Sequence, residues 1–201
     1  MYLMRVGLIH PERLDRNARL NLLGVEELLE QEGIPWILVH PGDDPADVSA
    51  RATVLLVLDH ACFTAHEELG LARLARSLPW VWTGIPRPNA HPALLATLGL
   101  NGTQAEDTSN LRLIRLRSHP TTVPFAHEKE RLLRMKFVEH VLAPCPSAGQ
   151  QIAQLELGDG TPLGAAVFAQ EGPPRRVSFT FPIGKAYAYK TSYYTDGDHL
   201  D

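Results

Sequence analysis

Three apolar runs in this sequence each close on a histidine: MRVGLIHPE at His10, IPWILVHPG at His40 and TVLLVLDHACF at His60. Neutral imidazole is a common metal ligand, and three protein ligands leave an open position for a water. His10, His40 and His60 are therefore candidate ligands for a divalent metal, with Asp59 or Cys62 able to contribute. The same residues could line a polar ligand pocket, or handle protons with Asp59 orienting His60. Cys62 precedes a predicted helix start, where backbone N–H groups lower a thiol pKa. As a nucleophile it would need His60 or His66 as base. The plainer reading of the three histidines comes first: histidine and proline simply break strands, and HP also occurs at 91–92 and 119–120, away from this set. No HxH, HExxH or CxxC spacing supports a metal, and for Cys62 a buried small hydrophobe is the plainer reading.

What would bring the three imidazoles together is the order of elements around them. Residues 4–9 read as a buried strand. Residues 12–32 carry helical spacing, with Leu20, Leu23, Val25 and Leu28 against Glu26, Glu27, Glu30 and Glu32, and stop at Gly33. A second strand follows at 36–39, a short helix at 45–51, and a third strand, apolar on both faces, at 53–58. Thr64 with Glu67 three positions on fits a capping box for a helix to about 77. A fourth strand spans 80–83, ended by Gly84, and a short helix 90–98. Strand–helix alternation implies a parallel sheet with right-handed crossovers and helices on both faces. In a 2-1-3-4 strand order the three histidines fall at neighbouring carboxyl ends, where open α/β sheets bind ligands.

The second half changes pattern. LGLNGTQAEDTSN reads as a polar loop, 111–116 as an exposed or edge strand alternating Leu or Ile with Arg, and 126–142 as a charged amphipathic helix. QIAQLELGDGTPLGAAVFAQEGPPRRVSFTFPIG reads as three strands joined by turns, with GDG as a hairpin signal. The domain therefore closes with an antiparallel extension. We expect one domain over 1–184 and an aromatic, acidic tail or linker over 185–201. Trp80 and Trp82 share a face and read as core.

Composition narrows the partners. The 201 residues suit one large domain, 44% are apolar, and the formal charge is -4 with no basic stripe, which argues against nucleic acid. No run reaches the ~20 apolar residues of a membrane span, and the opening lacks the layout of a secretory signal. The cytoplasm is the default location. Two cysteines, Cys62 and Cys145, do not make a disulfide framework.

Three stretches carry a family resemblance: TVLLVLDHACFTAHEELGLARLARS, SHPTTVPF, and GDGTPLGAAVFAQEGPPRRVSFTFPIG. Over about residues 4–184 the chain resembles the class I glutamine amidotransferase-like superfamily. It is closer to the branches linked to sugar-active enzymes: the trimerisation domain of beta-galactosidases and the ThuA-like proteins. The resemblance implies a flavodoxin-like, three-layer α/β sandwich with a mainly parallel sheet. Active members carry a Gly-x-Cys-x-Gly elbow and a downstream His-x-Glu pair. Here the fourth strand runs into VWTGIPRPN, and no HxE follows it. A strained elbow needs flanking glycines to present its nucleophile, so the sequence argues against amidotransferase activity.

The expectation is a non-catalytic amidotransferase-like domain serving a carbohydrate-active enzyme as a binding or assembly module. Its partners would be a neighbouring catalytic domain, a second copy of itself, or a sugar. The rival is a stand-alone hydrolase at the sheet rim, using His10, His40 and His60 with or without a divalent metal, or Asp59, His60 and Cys62.

Overall fold

The computed structural model describes residues 4–60, 62–87, 89–100, 105–107, 112–116, 132–135, 140–142, 150–157, 159–170 and 173–190. Four parallel strands open the sheet: β1 (Val6–Ile9), β2 (Trp36–Leu38), β3 (Val54–His60) and β4 (Trp80–Ile85). They stand in the expected order β2-β1-β3-β4. β3 is a continuous apolar run because it is covered on both faces: Leu55, Leu56, Val57 and Leu58 are all buried.

Helices cover each face. Asp15 caps α1 (Arg16–Gln31) by accepting from Ala18 N at 2.7 Å, a contact typically worth about 1 kcal/mol. Val25 and Leu29 of α1 pack with Val6, Leu8, Leu56 and Leu58 on one face. The other face carries α2 (Pro45–Arg51), α3 (Ala65–Leu74) and α4 (Pro92–Leu98). Val48, Leu71, Leu74, Leu94 and Leu98 meet Ile9, Leu55, Val57, Trp80 and Trp82 there. Trp80 and Trp82 do share a buried face, with ring centroids 5.6 Å apart. The expected three-layer α/β sandwich is present.

Among the described residues the sheet has nine strands, and its second half is antiparallel. β9 (Gln150–Leu157), β10 (Pro162–Gln170) and β11 (Arg176–Phe179) are the three closing strands, in the order β4-β11-β10-β9. β11 runs parallel to β4 and antiparallel to β10, so the change of direction falls at β11. The hairpin between β9 and β10 turns at Gly160, where φ is +87°, and Asp159 accepts from Thr161 N.

Several expectations are corrected. Within the proposed helix 126–142, the described residues form β7 (Leu132–Met135) and β8 (His140–Leu142). β7 pairs antiparallel with β6 (Arg112–Leu116), so β6 lies inside the sheet between β7 and β9 and is not an edge. Ladder pairing, of β7 with β6 and of β8 with β5, overrides the helical spacing of an isolated segment. The supposed loop 98–110 contains β5 (Ala105–Asp107), paired with β8. β4 does not stop at Gly84 but continues to Ile85.

The proposed division at residue 184 falls inside α5 (Ile183–Lys190). This helix begins locked to α1. Asn21 Oδ1 accepts from Gly184 N and Lys185 N at 2.8 and 3.2 Å. Lys185 Nζ donates to Asn17 Oδ1 at 3.0 Å, and the Tyr187 hydroxyl donates to Gln31. Gly24 and Gly184 let the backbones touch: a Cβ on Gly24 would lie 2.0 Å from Gly184 O.

Candidate functional site: the carboxyl rim of the parallel strands

The strand order sets the ends of β1, β3 and β4 side by side. The loop after β1, the β3–α3 connection and the β4–α4 connection therefore share one rim. His10 follows β1 directly and is half-buried, with Nδ1 2.8 Å from the carbonyl oxygen of Pro11. It also lies in electrostatic reach of Glu26 on α1. Burial raises the Glu26 carboxyl above its usual value, and His10 opposes that rise. His40 is exposed, and its backbone N–H donates to Asp43 Oδ2 at 3.0 Å. His60 is the last residue of β3, its backbone paired with Ile85; its side chain lies outside the described residues. Among the described residues, no three or more His, Cys, Asp or Glu side chains form a metal-holding group. Cys145 also lies outside the described residues.

Asp59 is the most deeply placed of the candidates whose side chains are described, at 1% exposure. Its backbone is fixed by β4: Asp59 pairs with Gly84, whose φ is +108°. A Cβ on Gly84 would meet the Asp59 carbonyl oxygen at 1.7 Å. Glycine is therefore required there twice over, by torsion and by space.

Cys62 stands near Asp59 and donates its S–H to Asp15 Oδ2 at 3.9 Å. Burial raises its thiol pKa, and the negative charges of Asp15 and Asp59 raise it further. The expected lowering by a helix start is not seen. The N-cap of α3 is Thr64, two residues beyond Cys62, while the Asp15 carboxylate sits directly against the sulfur.

The capping box is present. Thr64 Oγ1 accepts from Glu67 N at 3.3 Å, and Glu67 Oε2 accepts from Thr64 N at 2.6 Å. The other Glu67 oxygen accepts from Glu12 N at 3.2 Å and ties the β1–α1 loop to α3. Burial works against the Glu67 carboxylate, but the hydrogen bonds from Thr64 and Glu12 outweigh it and hold its pKa below the usual value. Beside it, Glu68 is 1% exposed. Arg87 grips it at two points, Nε to Oε1 at 2.8 Å and Nη2 to Oε2 at 3.0 Å. His91 N also donates to Oε2, at 2.7 Å. The Glu68 partnership raises the already high pKa of the Arg87 guanidinium, and Asp59 adds to it.

The rim thus gathers Asp59 and Cys62, which the sequence singled out, with Asp15, Glu68, Arg87 and Gly84, which it did not. Asp15 had a signal, as an Asp preceding a helical run. Gly84 followed an apolar strand and was read as a stop. Glu68 and Arg87 lie on separate elements, and nothing local marks them as partners.

No protein-family model matches the chain, and no curated protein matches it in sequence. Solved structures do resemble it. An exo-β-1,4-mannosidase from an Opitutaceae bacterium superposes with a TM-score of 0.62 at 14% identity over 92% of this chain. The match spans only 32% of that enzyme. A ThuA-like protein from Bacteroides uniformis gives 0.62 at 10% identity, covering 94% of this chain and 89% of that one. A glutamine amidotransferase from Thermotoga maritima gives 0.54 at 13% identity, covering 95% and 84%. The resemblance read from the sequence therefore holds at the level of fold: this chain has the α/β architecture of the class I glutamine amidotransferase-like proteins.

Proposed function

We propose that this chain is a binding or assembly domain that works beside a carbohydrate-active enzyme, on an amidotransferase-like framework without acyl-transfer chemistry. The observation that carries this reading is Gly84. The residue of positive φ at the end of β4 has no room for a Cβ, since the Asp59 carbonyl fills that space. No side chain can project there as a nucleophile. A separate segment, 86–91, intervenes before α4, so β4 does not turn directly into a helix. The thiol on the rim, Cys62, is held in its protonated form by burial and Asp15. The carbohydrate link is supported by the likeness to part of a mannosidase.

The test uses the purified protein. Ammonia release from glutamine and hydrolysis of p-nitrophenyl hexosides are assayed, and manno-oligosaccharides are titrated calorimetrically. We expect no turnover of either substrate and saturable oligosaccharide binding. Turnover that survives repurification overturns the non-catalytic reading. A flat titration overturns the carbohydrate link.

A further inference from the structure

We propose that Arg87 and His91 form a subsite for a carboxylate at the carboxyl rim of the sheet. The inference stands on these residues alone and holds whether or not the chain is an assembly module.

It begins with Glu68. A carboxylate at 1% exposure is costly unless it is fully paired. Its pairing consists of Arg87 Nε, Arg87 Nη2 and His91 N. The two-point grip fixes the plane of the guanidinium and therefore the direction of its outer edge. Arg87 Nη2 and His91 N meet on the same oxygen, Glu68 Oε2, so the two residues are immediate neighbours.

What remains outward is a set of donors. Arg87 Nη1 has no hydrogen-bond partner among the described residues and is not a buried atom. The Arg87 side chain is 32% exposed. His91 Nδ1 accepts from Ala93 N at 3.1 Å, which places the proton of the neutral ring on Nε2. That Nε2 is likewise neither buried nor bonded among the described residues. The open guanidinium edge and the imidazole N–H of these two neighbouring residues supply donors, the complement of a group that only accepts. Two oxygens on one planar carbon match the guanidinium fork. The charge balance weighs more heavily against a dianion than against a monoanion. Glu68 already neutralises Arg87, and buried Asp59 lies in its electrostatic reach, so a phosphate dianion meets too little positive charge.

The experiment titrates acetate, glucuronate, inorganic phosphate and glucose into 15N-labelled protein, following Arg87 Nε–H and the His91 ring. We expect saturable shifts at both residues with acetate and glucuronate, and none with glucose. Arg87→Lys keeps the charge and one contact to Glu68 but loses the fork. It should weaken glucuronate at least tenfold while the spectrum stays dispersed. His91→Gln, which retains the backbone N–H to Glu68, should weaken it by a smaller factor. The proposal is overturned if wild-type protein gives no saturable shift, if Arg87→Lys binds glucuronate as tightly as wild type, or if phosphate binds more tightly than the carboxylates. A preference for glucuronate over acetate would place the source among acidic sugars. Equal binding would leave the site selective for the carboxylate alone.

Discussion

Replacing Gly84 by alanine tests the central geometry of the rim. The residue has φ +108°, and the added Cβ would lie 1.7 Å from Asp59 O. Holding a side chain at such a torsion costs roughly 1–3 kcal/mol. Relieving the overlap requires β3 and β4 to part at their carboxyl ends, which by analogy with overpacking adds about 1–3 kcal/mol. The sum, about 2–6 kcal/mol, is a large part of the ~5–15 kcal/mol that holds a domain folded. With a urea dependence of ~2–3 kcal/mol per molar, the unfolding midpoint should fall by about 0.7–3 M. Gly160→Ala is the control. Its φ is +87°, but nothing lies within 4 Å of an added Cβ. It should lose only the torsional part, roughly 1–2 kcal/mol. Equal losses in the two variants would refute the argument, because the contact with Asp59 would then contribute nothing.

Three further outcomes follow from the rim and from α5. Alkylation of Cys62 should have a rate midpoint at higher pH than a free thiol, and Asp15→Asn should lower it; a wild-type midpoint at or below that of free cysteine contradicts the assigned surroundings. The same raised pKa means that the Cys62 contribution to stability is full below the ordinary thiol range and is lost as pH rises through the folded value. Glu67 has the opposite sign: its folded pKa is lowered, so its contribution is present above the usual carboxylate range and lost as pH falls through the folded value. Glu67→Gln should flatten the acid limb of a stability–pH curve, and Thr64→Ala should cost about 1 kcal/mol in urea unfolding. Asn21→Ala leaves two buried backbone donors of α5 without their acceptor, at roughly 2–4 kcal/mol. Amide exchange at Gly184 and Lys185 should quicken in that variant ahead of exchange in β3.

The parallel half was legible because its signals are local. An apolar run such as TVLLVL can only be a covered strand, and Thr64 with Glu67 announces a helix start within four residues. The same logic failed at 132–135 and 140–142, where helical spacing competes with pairing to β6 and to β5, partners that no window of that length contains. It failed again at 185–190. The tyrosines drew attention, while the determinants of α5 are small: Gly184 against Gly24, and one amide on Asn21. At the rim, Asp59 and Cys62 could be named because they follow a strand. The Glu68–Arg87 pairing could not, since it joins two elements through a fork that exists only after α3 and the β4–α4 connection have been placed.

The position of β11 has a consequence for how the molecule is assembled. A strand made after both of its neighbours is seated between β4 and β10, in the middle of the sheet. Until Arg176–Phe179 leaves the ribosome, both neighbours expose bare amide and carbonyl edges that another chain can pair with. The contacts with β4 join residues far apart in sequence, as Trp80 with Arg176, so closure is slow and the half-built sheet is open to misassociation. The nascent protein therefore depends on β11 to shield what the earlier strands have built.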